Sequence, residues 1–127
     1  MYKYLYSLII FLSFNVSAAN AQKPGTDNPL LIHSNEPVQF DKVNTAIIRN
    51  AVSFLLKISD DRIKKITDIP KASQNVSNIL FATDELYYDL IDLAIKLGLI
   101  AATYTDDSIR NTANDESQKL SLYFNNL

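Results

Sequence analysis

The chain has no cysteine, one histidine (His33) and two glycines among its 127 residues. Without cysteine there are no disulfides, no thiolate zinc site and no thiol nucleophile. One histidine cannot supply a His-Glu-x-x-His metal motif, and two glycines do not make a phosphate-cradling loop. No Ser/His/Asp set is visible either. Charge of one sign is also lacking: 12 Lys+Arg stand against 14 Asp+Glu. No basic patch stands out, which argues against nucleic acid as a partner. The longest apolar run, residues 5–14 (LYSLIIFLSF), falls short of the roughly 20 residues a bilayer span needs. The length suits a single domain.

That apolar run follows Lys3 and precedes Ala19-Asn20-Ala21, the order of a secretory signal with small residues at the cleavage site. The sequence therefore predicts a signal peptide over 1–21 with cleavage before Gln22. Cleavage after Ala18 or Ala19, or an uncleaved anchor, are the alternatives. The protein is expected to be exported, to a periplasm or outside the cell, with no membrane attachment after cleavage. Residues 22–40 hold Pro24, Gly25, Pro29 and Pro37 and read as an extended lead-in. Leu30, Leu31, Ile32 and Phe40 within it are expected to tie it onto a helical surface.

From residue 41 the pattern is helical throughout, and the expected fold is all-α: three antiparallel helices with a long central one. Asp41 is the expected cap of the first helix, whose apolar stripe is Val43, Ile47, Ala51, Phe54, Leu55 and Ile58, running to about Ser59 or beyond. Pro70 suits the first position of the second helix, expected to run to Tyr104, about 50 Å at 1.5 Å per residue. Stepped at 100° per residue, Ile79, Leu86, Leu90, Leu93, Leu97, Ile100 and Tyr104 fall on one side. Phe81, Tyr88, Ile91, Ile95, Leu99 and Ala102 fall on the other. A helix lying on a core has one apolar face; this one has two, so it belongs inside other helices. Gly98 suggests a bend or a close neighbour. Asp106 or Asp107 caps a third helix, with Ile109, Ala113, Leu120, Tyr123, Phe124 and Leu127 on one face. Its pattern is still running at Leu127, as at a break in a longer protein. The outer helices are expected to be about half to two-thirds as long as the central one, leaving its ends wet.

Candidate site residues are few. Glu85, Asp89 and Asp92 share a helix face, but carboxylate metal sites in bundles add histidines from facing helices; a solvated face is the reading adopted. Asp92 and Lys96 are spaced for an ion pair. His33 reads as a loop histidine, and Phe81, Tyr87 and Tyr88 as packing residues ahead of an aromatic cage. Asn75-Val76-Ser77 fits the N-glycosylation pattern, which matters only in a eukaryote. No catalytic, cofactor-binding or metal residue is assigned.

Two stretches resemble the N-terminal region of the M3 family of zinc metallopeptidases, the thimet oligopeptidase and oligopeptidase A group. One is Asn28-Pro29-Leu30-Leu31, followed by Pro37 and Phe40-Asp41-Lys42-Val43. The other is residues 105–121, where Thr105-Asp106-Asp107 leads into Ile109-Arg110 and ends on Lys119-Leu120-Ser121. The resemblance implies that 41–127 is the helical start of one lobe of a two-lobed peptidase, beside a channel for short peptides. In that family zinc is held by His-Glu-x-x-His and a downstream glutamate, with the motif's glutamate as general base. None of those residues can be placed here. Zinc and peptide substrates would then belong to a full-length protein, and the partner of this chain would be the rest of the peptidase. The alternative is a self-contained exported helical module that binds a partner protein.

Overall fold

The computed structural model describes residues 27–32 and 37–127. The signal-peptide reading, residues 22–26 and 33–36 of the lead-in, and with them His33, lie outside the described residues. Helices α1 (Thr45–Thr67), α2 (Ala82–Thr103) and α3 (Asp107–Phe124) form the fold, with no strand among the described residues. Three contacts fix the helix directions. Arg62 late in α1 meets Asp89 early in α2, and Tyr104 after α2 reaches Phe40 and Val43 before α1. Tyr123 late in α3 meets Asp60 late in α1. The bundle is up-down-up, and the all-helical expectation holds. No helix among the described residues is long and apolar enough to cross a membrane.

The boundaries differ from those expected, for reasons of capping. Asp41 lies in a short 3-10 turn, Phe40–Lys42, and the cap of α1 is Asn44, whose Oδ1 accepts from the Ile47 amide at 2.9 Å. Asn44 is extended, as a capping residue must be. Past Ser59, Ile63 and Ile66 keep the inner face apolar enough to continue α1, while Lys57–Asp61 and Lys64–Asp68 pair along its outside.

Pro70 does not open the second helix. It precedes a 3-10 turn, Lys71–Ser73, and Gln74 is extended. The helix starts from a reciprocal cap: the Asn75 amide donates to Asn78 Oδ1, and the Asn78 amide donates to Asn75 Oδ1. A wide π turn, Ser77–Phe81, then leads into α2. With that turn the central helical run spans 76–103, longer than the 23 residues of α1 and the 18 of α3, and its N-terminal end stays wet, with Val76, Leu80 and Phe81 exposed.

Asp106 caps α3 as expected, its Oδ1 accepting from the amides of Ser108 and Ile109. Arg110 turns back to donate to the carbonyls of Tyr104 and Thr105, closing the tight turn between α2 and α3. Helix α3 stops at Phe124, with Asn125 at its C-cap, three residues short of the expected run.

The core has Leu30 and Val43 from the lead-in and Ile48, Ala51, Val52 and Leu55 from α1. Leu86, Leu90, Leu93, Leu97 and Ile100 come from α2, and Ala113 and Leu120 from α3. In α1 the seam is turned by about one residue from the expected stripe: Ile48 and Val52 are buried while Ile47, Phe54 and Ile58 are half-buried. Residues 27–32 form a strap across the open side of the α1–α2 seam, with Leu30 fully buried as its plug.

Candidate functional site

The strap shows what the Asn-Pro-Leu-Leu run does physically. Asn28 Oδ1 accepts from the Leu30 amide, folding the strap back on itself, while its Nδ2 donates 2.9 Å to the Ile47 carbonyl in α1. From α2, Lys96 Nζ donates to the carbonyls of Leu30 (3.1 Å) and Ile32 (3.0 Å) and to Asp92 Oδ2 (2.7 Å). An ammonium has three N–H donors, and here each has an acceptor.

Asp89, one helical turn earlier, accepts from Arg62 of α1 at 2.5 Å. The stripe expected to be a solvated face is therefore a polar seam. Asp89 and Asp92 are mostly buried against α1 and the strap, and of the three acids only Glu85 is exposed. The expected Asp92–Lys96 pair is present.

At the end of the bundle that holds the Arg62–Asp89 pair, Tyr123 donates 2.8 Å to Asp60 Oδ1. Partial burial first, then the Asp60 carboxylate, pushes the phenol up to about 12, with the neighbouring Ser59 hydroxyl opposing the rise. Ser59 is fully buried and its Oγ has no hydrogen-bond partner of ordinary geometry. Glu116 is buried on α3 and is met by Lys119 at 2.5 Å. Its spacing from Ala113 and Leu120 on the apolar face of α3, with Lys119 three residues on, was the available signal.

Two clefts remain. One, of about 410 Å³, is lined by Phe40, Asp41, Thr103, Tyr104 and Thr105. Two of its hydroxyls are already committed: Thr103 donates to Leu99 and Tyr104 to Phe40 and Val43. The other, about 150 Å³, is lined mainly by Ile63, Ile66, Leu86, Tyr87 and Leu127. Neither assembles a nucleophile, a base and an oxyanion donor. Among the described residues no group of three or more His, Cys, Asp or Glu stands together as a metal site, so the donor set of a zinc peptidase does not fit onto them.

The largest chemical feature is apolar. On the outer face of α2, Phe81 is 58% exposed, Tyr88 60%, Ile91 49%, Ile95 67% and Leu99 43%. The five lie on one side of the helix, opposite the buried leucines. With α1 and α3 both on the inner side, this face is left to solvent. Of the three aromatics expected to pack, Tyr87 stacks on Phe124 at 5.8 Å, while Phe81 and Tyr88 keep more than half of their surface exposed. Gly98 lies on the flank of the same face, and a Cβ there would meet nothing within 4 Å; the chain itself brings no neighbour close. Asn75, of the glycosylation pattern, is exposed but engaged in the cap that starts the helix.

Over 69 residues the chain is 32% identical to a thimet-like oligopeptidase of Dictyostelium discoideum, a match covering 54% of this chain and 10% of that protein. The similarity links part of this chain to oligopeptidases, while spanning about a tenth of that relative's length. No family model matches the chain, and no solved structure does.

Proposed function

We propose that this chain is the N-terminal, non-catalytic helical portion of an exported M3-type zinc oligopeptidase that hydrolyses short peptides. The observation that carries the reading is the 69-residue similarity to a thimet-like oligopeptidase. It agrees with the resemblance of residues 28–43 and 105–121 to the opening of that family. The exposed outer face of α2 has the character of a surface meant to lie against further helices. In this reading the chain contributes scaffold, and the zinc with its general base belongs to other polypeptide, since no His-Glu-x-x-His occurs in this sequence.

The test is direct. The purified chain should hold no stoichiometric zinc by elemental analysis and should cleave no fluorogenic peptide. Chelator-sensitive cleavage by pure material would sink the reading. Downstream reading frame encoding His-Glu-x-x-His would support it, and its restoration in one polypeptide should bring peptidase activity.

A second reading, an exported module that binds a partner protein, is favoured by the closed core. Thirteen buried apolar residues from the strap and all three helices form one cluster. A single cooperative unfolding transition of the isolated chain would favour it; a molten, aggregating product would count against it.

A further inference from the structure

We infer that residues 27–32 are a latch: the strap leaves its seat on the α1–α2 seam as a unit while the three helices stay folded, uncovering a leucine-sized slot beside the Lys96–Asp92 pair. The inference rests on how the strap is held and not on the peptidase reading.

The strap carries its own shape. The Leu31 amide donates 2.9 Å to the Asn28 carbonyl, closing a turn over Asn28-Pro29-Leu30-Leu31 with proline at its second position, where a fixed φ suits a turn. Asn28 Oδ1 also accepts from the Leu30 amide at 3.0 Å. Both bonds lie inside the strap, so they survive when it lifts.

Its hold on the helices is of a different kind. Among the described residues no backbone-to-backbone hydrogen bond joins the strap to a helix. Asn28 Nδ2 reaches the Ile47 carbonyl, and Lys96 Nζ reaches the carbonyls of Leu30 and Ile32. Each opens by withdrawing one side chain, and lifting strands nothing in the seat. The Ile47 carbonyl lies within α1 and keeps its place in the helical ladder, while Lys96 keeps Asp92 at 2.7 Å. The apolar hold is one fully buried leucine, Leu30, with Leu31 half-buried and Ile32 exposed. Apart from Val43, the rest of the core lies within the three helices themselves. A segment with so few buried contacts opens at a lower free energy than the core it covers.

The test is native-state proteolysis of the full chain by thermolysin, which cuts before leucine and isoleucine, with sites read from fragment masses at early times. A protease needs an extended, accessible stretch, so a seated Leu30 blocks cutting of the Leu30–Leu31 and Leu31–Ile32 bonds. Where reclosing outpaces cutting, the rate reports the open population. In the unmodified chain these bonds should be cut at least about a hundredfold faster than those before Leu90, Leu93 and Leu97 in α2. Adding about 1 M urea should change strap cutting less than about twofold and raise α2 cutting about fivefold, because only the second exposes the whole core. Lys96→Met should speed strap cutting at least about tenfold. Leu120 lies near the Tyr123–Asp60 end of the bundle, whereas the strap lies against early α1. Leu120→Ala should therefore speed α2 cutting at least about tenfold and leave strap cutting unchanged; should that variant not fold, the urea dependence of the unmodified chain decides. Strap and α2 bonds cut at one rate with one urea dependence would overturn the proposal, since the strap would then open only with the bundle. Strap cutting as fast as in a free peptide of the same sequence, or untouched by Lys96→Met, would overturn it equally, because nothing would then be latched.

Discussion

Replacing Lys96 by Met tests how the strap is held. Met keeps most of the aliphatic stem and removes the ammonium. Three charge-assisted hydrogen bonds are lost, to Leu30 O, Ile32 O and Asp92 Oδ2. Each such bond is worth about 1.5–3 kcal/mol where water cannot replace it. Ile32 is 44% exposed, so its carbonyl recovers water, and Asp92, though mostly buried, keeps 26% of its side-chain surface in solvent. The Leu30 carbonyl, behind a fully buried residue, recovers least. The net cost is therefore about 2–3 kcal/mol, a large fraction of the 5–15 kcal/mol that is typical of a whole domain. In urea, with a slope of about 1 kcal/mol per M for a chain of this size, the midpoint should fall by about 2 M.

The control is Lys57→Met, which breaks the Lys57–Asp61 pair at 3.8 Å where both side chains are exposed; its cost should stay within about 0.5 kcal/mol. Leu30→Ala should cost about 2–5 kcal/mol. Combined with Lys96→Met it should show a coupling of about 1 kcal/mol or more, because both changes release the same strap. If Lys96→Met costs no more than Lys57→Met, the clamp between α2 and the strap is refuted.

Tyr123 should ionise near 12 in an ultraviolet titration, apart from the ordinary value of 10.0. Because the folded value is the higher one, its contribution to stability is complete below pH 10 and is lost as pH rises to about 12; Tyr123→Phe should remove that part of the alkaline decline in urea midpoint. Asn44→Ala should cost about 1 kcal/mol by removing the α1 cap, whereas Asp41→Ala should change stability by less than about 0.5 kcal/mol, both read by thermal unfolding. Gly98→Ala should stabilise by about 0.5–1 kcal/mol through helix propensity, since a methyl group there meets only open space; destabilisation would mean that a neighbour does approach that position.

Periodicity alone located the inner face of α2, and Leu86, Leu90, Leu93, Leu97 and Ile100 are buried as their spacing required. It also identified a second apolar face, which the structure leaves in solvent at Phe81, Tyr88, Ile91, Ile95 and Leu99. Helix starts were harder to read, because several residues compete for the same role. Asp41 and Asn44 are both good caps, and the choice went to the one whose backbone is extended. Pro70 fits a first helical position, but the Asn75–Asn78 exchange satisfies the amides at the helix start better. The polar seam was misread because Asp89 and Asp92 look solvated on a helical wheel. Only the tertiary placement of Arg62 and of the strap's carbonyls turns them inward. Glu116 is a different case on α3: three residues after Ala113 and four before Leu120 it falls on the apolar face, and Lys119 meets the carboxylate that this spacing buries.

Hydroxyl-radical footprinting of the unmodified chain, read residue by residue by mass spectrometry at high dilution, addresses the outer face of α2 most directly. Phe81, Tyr88 and Ile95 should oxidise rapidly while Leu90, Leu93 and Leu97 of the same helix stay protected. Protection of Phe81, Tyr88 and Ile95 at high dilution would show that the chain seals this face by itself, contradicting the scaffold role.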